Sequence, residues 1–283
     1  MRVLGIESSS LVASVALVTD DILTAEYTVD FKKTHSQTLL PMLDEIVKLL
    51  ELDMDTIDAI AVAGGPGSFT GLRIGAATAK GLGLALKKPL VHVPTVDAMA
   101  YNMWGAEGLI CPIMDAKRSQ VYTGLYHTRD GLEVVMEQQP MDMRELAGLL
   151  NEKGERVIFL GDGVPVYKDI IREMLTVPHA FAPAQMNRQR AASVAALGMN
   201  VILDAEGCHG VQVVTAAEFT PDYLRKPQAE RQREAERSAR GAAAKLPGDY
   251  YRQQIHGLNC CGNRKERENG ADSRGAPHDR PGY

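Results

Sequence analysis

The sequence predicts an α/β fold of two lobes, each opening with a β-meander and continuing through helices. Three observations carry this. Residues 1–105 alternate strand and helix periodicities in the order β-β-β-α-β-α-β-α. A second strand–polar turn–strand unit begins near Leu109. A glycine-rich turn at Gly64–Gly71 joins a short apolar run to a helical one. Aromatic residues are only 5% of the chain, so the core must be aliphatic and alanine-rich.

Each element follows from its pattern. Arg2–Glu7 is an apolar run ending in a carboxylate, Ser8-Ser9-Ser10 is a polar turn, and Val12–Val18 resumes strand chemistry. Leu23–Phe31 completes the meander. From His35 the period changes to one helical stripe: Leu39, Leu40, Leu43, Ile46, Val47 and Leu50, with Ser36 as the expected N-cap. Ile57–Ala63 is a short strand, and the helix after the glycine turn runs over about 70–86. On that helix Gly71, Gly75, Ala79 and Gly83 recur every four residues. Such a line suits close packing against the chain's own sheet or against a partner helix. Leu90–Val93 is the next strand. In the second half, Leu109–Asp115, Gln120–His127 and Val157–Leu160 read as strands, and 166–175 and 191–203 as helices.

These patterns divide the chain into an N-terminal lobe over 1–105, a shortened C-terminal lobe over 106–227, and a tail over 228–283. The tail holds only six large apolar residues in 56, too few to offset the entropy of ordering it, so a disordered or partly helical segment is expected. Charge divides at the same place: the tail is +3 and residues 1–227 are −8. An acidic body of this kind argues against a stand-alone nucleic-acid binder. No stretch approaches the 18 apolar residues of a membrane span, and the four cysteines lack CxxC spacing, which suits a reducing cytoplasm.

Two segments carry candidate chemistry. Glu7, Ser8, Ser9 and Ser10 form either a phosphate-facing turn or an ordinary polar hairpin. Gly64, Gly65, Gly67 and Ser68 expose backbone amides at a helix N-terminus, an anion-binding arrangement, although tight packing also explains the glycines. The segment is neither a Walker A loop nor a dinucleotide fingerprint. Asp115-Ala116-Lys117-Arg118 is a charged turn, solvated or facing the cleft, and Gly161-Asp162-Gly163 is a weaker signal. The seven histidines form no HxxH, HxxxH or HExxH pair, and no Gly-x-Ser-x-Gly elbow exists.

The motifs Gly5-Ile6-Glu7-Ser8-Ser9-Ser10, Ser14-Val15-Ala16-Leu17, His35-Ser36 with Leu39-Leu40-Pro41, and above all Gly64-Gly65-Pro66-Gly67-Ser68-Phe69-Thr70-Gly71-Leu72-Arg73-Ile74-Gly75 resemble the bacterial TsaB family. Asp115-Ala116-Lys117-Arg118 with Val121-Tyr122, and Pro221-Asp222-Tyr223-Leu224-Arg225, resemble it too. The resemblance covers about residues 1–230.

It implies an actin/hsp70-like (ASKHA) duplicated fold. It also implies a non-catalytic subunit in the synthesis of N6-threonylcarbamoyladenosine at tRNA position 37. The partners implied are a TsaD-like catalytic subunit, a TsaE-like ATPase and a second copy of the chain, with tRNA met only through the complex. Where TsaD carries metal-holding histidines, this chain has Thr95 and Met99, poor replacements for imidazoles. The resemblance therefore implies no catalytic residues, no metal and no required cofactor, with at most weak ATP or ADP binding at Glu7–Ser10 and Gly64–Ser68. It places the partner interface on the first two long helices, through Leu39, Leu43, Val47, Leu50, Gly71, Gly75, Ala79 and Gly83. The alternatives are an ATPase or small-molecule kinase of the same fold and a metallopeptidase.

Overall fold

A computed structural model describes residues 1–31, 34–203 and 210–224, all within the compact unit Met1–Pro227. The expected tail at 228–283 lies outside the described residues.

The first lobe is built from β1 (Arg2–Glu7), β2 (Val12–Thr19), β3 (Ile22–Asp30), α1 (His35–Leu50), β4 (Ala59–Gly65), α2 (Phe69–Leu86), β5 (Leu90–Pro94) and α3 (Thr95–Tyr101). The second repeats the order as β6 (Leu109–Asp115), β7 (Gln120–His127), β8 (Glu133–Asp142), α4 (Met143–Lys153), β9 (Val157–Leu160), α5 (Val164–Met174), β10 (His179–Phe181) and α6 (Ala191–Leu203). A last strand, β11 (Gln212–Val214), pairs antiparallel with β5. Sheet order is β11-β5-β4-β1-β2-β3 in one lobe and β10-β9-β6-β7-β8 in the other. Apart from β11 the two orders superpose: an antiparallel meander followed by two parallel strands. This is a duplicated α/β arrangement of the kind the sequence pattern predicts, and it agrees with the actin/hsp70-like fold that the resemblance implies.

The lobes exchange their final helices. The apolar side of α6 packs on β1, β2 and β4 of the first sheet, with Val194, Ala195, Leu197 and Met199 against Val3, Ala61, Val91 and Val93. Gly198 allows that approach, since an added methyl group would lie 2.7 Å from the Ala61 Cβ. In turn α3 packs on β6 and β7, with Val96, Met99 and Met103 among Ile110, Met114, Tyr122 and Tyr126. So α6 and β11, which sequence order assigns to the 106–227 lobe, belong in space to the first sheet.

Two local expectations are corrected. Helix α1 begins at His35 with Thr34 as N-cap, and Ser36 lies in its first turn. Its buried face is Leu39, Met42, Leu43 and Ile46, while Leu40 and Leu50 are exposed. The sequence stripe had the right period but was rotated, because Met42 replaces Leu40 on the face that meets β2 and α2.

Candidate functional site: the β1–β2 turn, the glycine loop and the lobe junction

Strand β1 carries Glu7 to the edge of the cleft, and Ser8–Ser10 turn directly onto the start of α2. The Ser68 N–H donates to Ser9 O at 2.6 Å. The Ser8 hydroxyl donates to Gly71 O at 2.9 Å. Ser68 caps α2 by accepting the Gly71 N–H. The Gly65 N–H donates to Thr95 Oγ1 at 3.2 Å. Methyl groups added at Gly67 or Gly71 would overlap the Ser9 or Ser8 backbone, and one at Gly75 would overlap the Ser8 hydroxyl. The structure thus brings the two sequence-predicted loops together, but joins these amides to the chain itself. Of the expected phosphate-facing group Gly64, Gly65, Gly67 and Ser68, the Gly65 and Ser68 N–H groups are therefore committed to Thr95 and Ser9, and an anion there would have to displace those bonds.

The expected partner seam is corrected as well. Gly71, Gly75, Ala79 and Gly83 are buried against the chain's own elements, Gly75 on Ser8 and Gly83 between Leu90 and Ala216. Leu39 and Leu43 belong to the same core, and Val47 packs on its margin. Leu50 remains open. The face of α2 left exposed holds Arg73, Ala77, Gly81, Leu84 and Ala85, and a methyl group at Gly81 meets nothing within 4 Å.

Glu7 is fully buried, and its carboxylate accepts the Ser9 N–H at 2.6 Å. Burial pushes its pKa up to about 7, and the Asp162 charge across the cleft adds to the rise, while hydrogen bonds from Ser9 hold it down. Asp162, in the turn before α5, is itself raised by burial, against a hydrogen bond from Gln189 (Nε2 to Oδ1, 3.4 Å) and the nearby Arg188 charge. The β6–β7 turn belongs to this neighbourhood: the Lys117 ammonium pairs with Asp115, and both charges act on Asp162. Lys117, Arg118 and Ser119 all have positive φ, of 63°, 59° and 60°. A run of left-handed non-glycine residues costs about 1–2 kcal/mol each. The turn is held by Lys117 N–H to Asp115 Oδ1 (2.9 Å) and Met143 N–H to Ser119 O (3.0 Å).

Residues that sequence reasoning missed fasten the lobes together. Tyr126 of β7 donates to Asp97 of α3 at 2.6 Å. Burial raises the Asp97 pKa to about 6 against the pull of that bond. Gln138 of β8 donates from Nε2 to Gly65 O at 3.1 Å and accepts the Val96 N–H at 3.3 Å. Arg188 Nε donates to Asp30 (2.9 Å) and Arg190 Nε to Glu26 (3.1 Å), tying the approach to α6 onto β3. These pairs are 29 to 164 residues apart in sequence, and no local motif marks them. Thr95 and Met99 are fully buried: Thr95 serves Gly65, and Met99 packs in the α3–β6 core. Among the described residues no group of three or more His, Cys, Asp and Glu side chains could hold a metal ion, and no helix is long and apolar enough to cross a membrane.

Comparison with known proteins gives a consistent answer. Residues 29–233 match the TsaD family model, described as tRNA N6-adenosine threonylcarbamoyltransferase. The tRNA threonylcarbamoyladenosine biosynthesis protein TsaB of Bacillus subtilis is 35% identical over 231 residues, covering 81% of this chain and 96% of the relative. TsaB of Escherichia coli K12 is 35% identical over 128 residues, covering 44% and 55%. The solved structure of YeaZ from Pseudomonas aeruginosa shares the fold, with a TM-score of 0.66 at 24% identity, covering 78% of this chain and 99% of that one. With a duplicated fold, the 64–75 segment and a relative matched almost end to end, the chain belongs to the TsaB family.

Proposed function

We propose that the chain is a non-catalytic scaffold and activating subunit in the synthesis of N6-threonylcarbamoyladenosine at tRNA position 37. It pairs with a TsaD-like catalytic subunit and recruits a TsaE-like ATPase. The observation that supports this reading is the contact between Ser8–Ser9 and Gly65–Gly71, in which the Gly65 and Ser68 N–H groups bond to Thr95 and Ser9 within the chain. Thr95 and Met99 support it, since both side chains are committed to packing. On this reading no cofactor is required and binding of ATP or ADP is weak. The acidic body meets tRNA through the complex, and the chain works in the cytoplasm.

The pairing surface is the open side of α1 and α2. Ala77, Gly81, Leu84 and Leu50 provide it, with Val47 at its margin. Small residues on a helix let a second backbone approach closely, and Leu84, 65% exposed, supplies the apolar anchor. The same surface serves pairing of two copies. Mixing the purified chain with a TsaD-like subunit and measuring mass by light scattering tests this. The expected product is a one-to-one complex that Leu84→Glu weakens at least tenfold. A complex untouched by Leu84→Glu and by Gly81→Trp sinks the assignment.

A second reading, an ATPase or small-molecule kinase, rests on the Glu7 and Asp162 carboxyls at the cleft. Calorimetric titration with magnesium-ATP separates the two, because micromolar binding with turnover favours the enzyme.

A further inference from the structure

The described chain returns to the glycine loop a second time, from the other side. After β11, residues 215–224 form a strap across the first lobe. Thr215 and Glu218 cap each other, and the Lys80 ammonium donates to Ala217 O (3.1 Å) and Phe219 O (3.0 Å). Phe219 is buried in the core beside Leu90 and Ala79. Beyond it the hold is lighter. The Asp222 N–H donates to Gly64 O at 2.7 Å, and Tyr223 stacks on Phe69 with ring centroids 4.8 Å apart. Tyr223 and Leu224 are exposed.

Under this outer part of the strap lies His92. Strand alternation points it to the same side of the sheet as Leu90, toward α2, because Val91 and Val93 face α6. Its ring lies against Gly64, where even a methyl group would collide with it, and 5.5 Å from the Phe219 ring centroid. The residue is more than nine-tenths buried. Nδ1 has no hydrogen-bond partner, and Nε2 sits 3.3 Å from Asp222 Oδ2, at ion-pair distance but outside hydrogen-bond geometry. A buried imidazole with neither nitrogen satisfied calls for a polar group, and the Asp222 carboxylate is placed to serve. That carboxylate is open to solvent: the Asp222 side chain is 54% exposed against 9% for His92. Asp222 thus stands between the buried His92 ring and solvent.

We propose that the unpartnered His92 imidazole forms an anion subsite that the chain plugs with its own Asp222. Lifting the strap beyond Phe219 admits a small oxyanion or carboxylate in its place. The strap acts as an internal competitor, and Phe219 stays anchored when its tip opens. None of its groups belongs to the pairing surface, and neither Glu7 nor Asp162 takes part.

The test follows the His92 imidazole resonances of the full chain, labelled at histidine, during titration with inorganic phosphate and separately with acetate. In Asp222→Ala the expected result is a saturable His92 shift with an apparent Kd at least tenfold below that of the wild type, and calorimetric titration of the same variant shows the binding lost when His92→Gln is added. A response to phosphate alone marks an oxyanion site, and one to acetate marks a carboxylate site. Asp222→Asn keeps the backbone bond to Gly64 and decides the matter if Asp222→Ala fails to fold. Absence of any saturable shift in the folded Asp222 variants overturns the proposal, as does equal titration of wild type and variants.

Discussion

The Tyr126 hydroxyl donates to Asp97 Oδ1 at 2.6 Å, joining the second sheet to the helix that leaves the first lobe, and both residues are buried. Burial raises the Asp97 pKa to about 6 and the Tyr126 pKa well above its ordinary value, so above pH 6 this hydroxyl is the larger of the two hydrogen bonds, side-chain and backbone, that support a buried ionised carboxylate. Tyr126→Phe should destabilise the fold by about 1–3 kcal/mol at pH 8, the cost of leaving a buried acceptor unpaired. The loss should shrink at pH 5, where the carboxyl is neutral. Urea unfolding at the two pH values measures it; equal losses at both would show that the bond does not act on the charge.

Glu7 gives the opposite variant effect. Its native pKa, about 7, lies above the ordinary carboxyl value of 4.5, so between these values the folded state holds a proton that the unfolded state releases. Stability from this group is fully present below pH 4.5 and is lost as pH rises through 7. Glu7→Gln keeps the acceptor for the Ser9 N–H and removes the charge. It should match the wild type below pH 4.5 and exceed it by roughly 3 kcal/mol at pH 8, on a scale of about 1.4 kcal/mol per pH unit. A variant less stable at pH 8 would mean that the ionised carboxylate is welcomed in the cleft.

The two small-residue lines of α2 should separate cleanly. Gly71→Ala drives a methyl group into the Ser8 backbone carbonyl and should destabilise by several kcal/mol, whereas Gly81→Ala meets open space and should stabilise by up to about 1 kcal/mol. Thermal unfolding of both variants checks this. Equal effects would put α2 in a different rotation.

Much of this was legible in the sequence because it is written in local patterns. Leu109–Asp115, Gln120–His127, Val157–Leu160 and Ala191–Leu203 fall where apolar runs and helical spacing put them. Period alone does not fix rotation. The line Gly71–Gly83 was readable as a place of close approach, but what approaches it is Ser8 and Leu90, 63 and 7 residues away from its ends. Strand β8, helix α4 and strand β11 went unread: β8 mixes charges with Pro140 and is half-exposed, and β11 is three residues long, held only by pairing with β5. The Asp97–Tyr126 and Gln138–Gly65 contacts exist only once the lobes exchange helices, so nothing near either residue announces them.

The strap predicts a further, graded effect. Phe219→Ala removes a side chain that is 2% exposed and should cost about 3–5 kcal/mol, whereas Tyr223→Ala, at the open tip, should cost less than about 1 kcal/mol. Denaturant titration of the pair would reveal a uniformly rigid strap if the two losses were equal.

The central claim, that this chain supports the chemistry without performing it, is tested most directly by reconstitution on unmodified tRNA with threonylcarbamoyl-adenylate. The product to be counted is N6-threonylcarbamoyladenosine. The chain alone should yield none, and a TsaD-like subunit should lose at least nine-tenths of its yield when the chain is withheld. Modified tRNA formed by the chain alone, or a catalytic subunit indifferent to its presence, would contradict the claim.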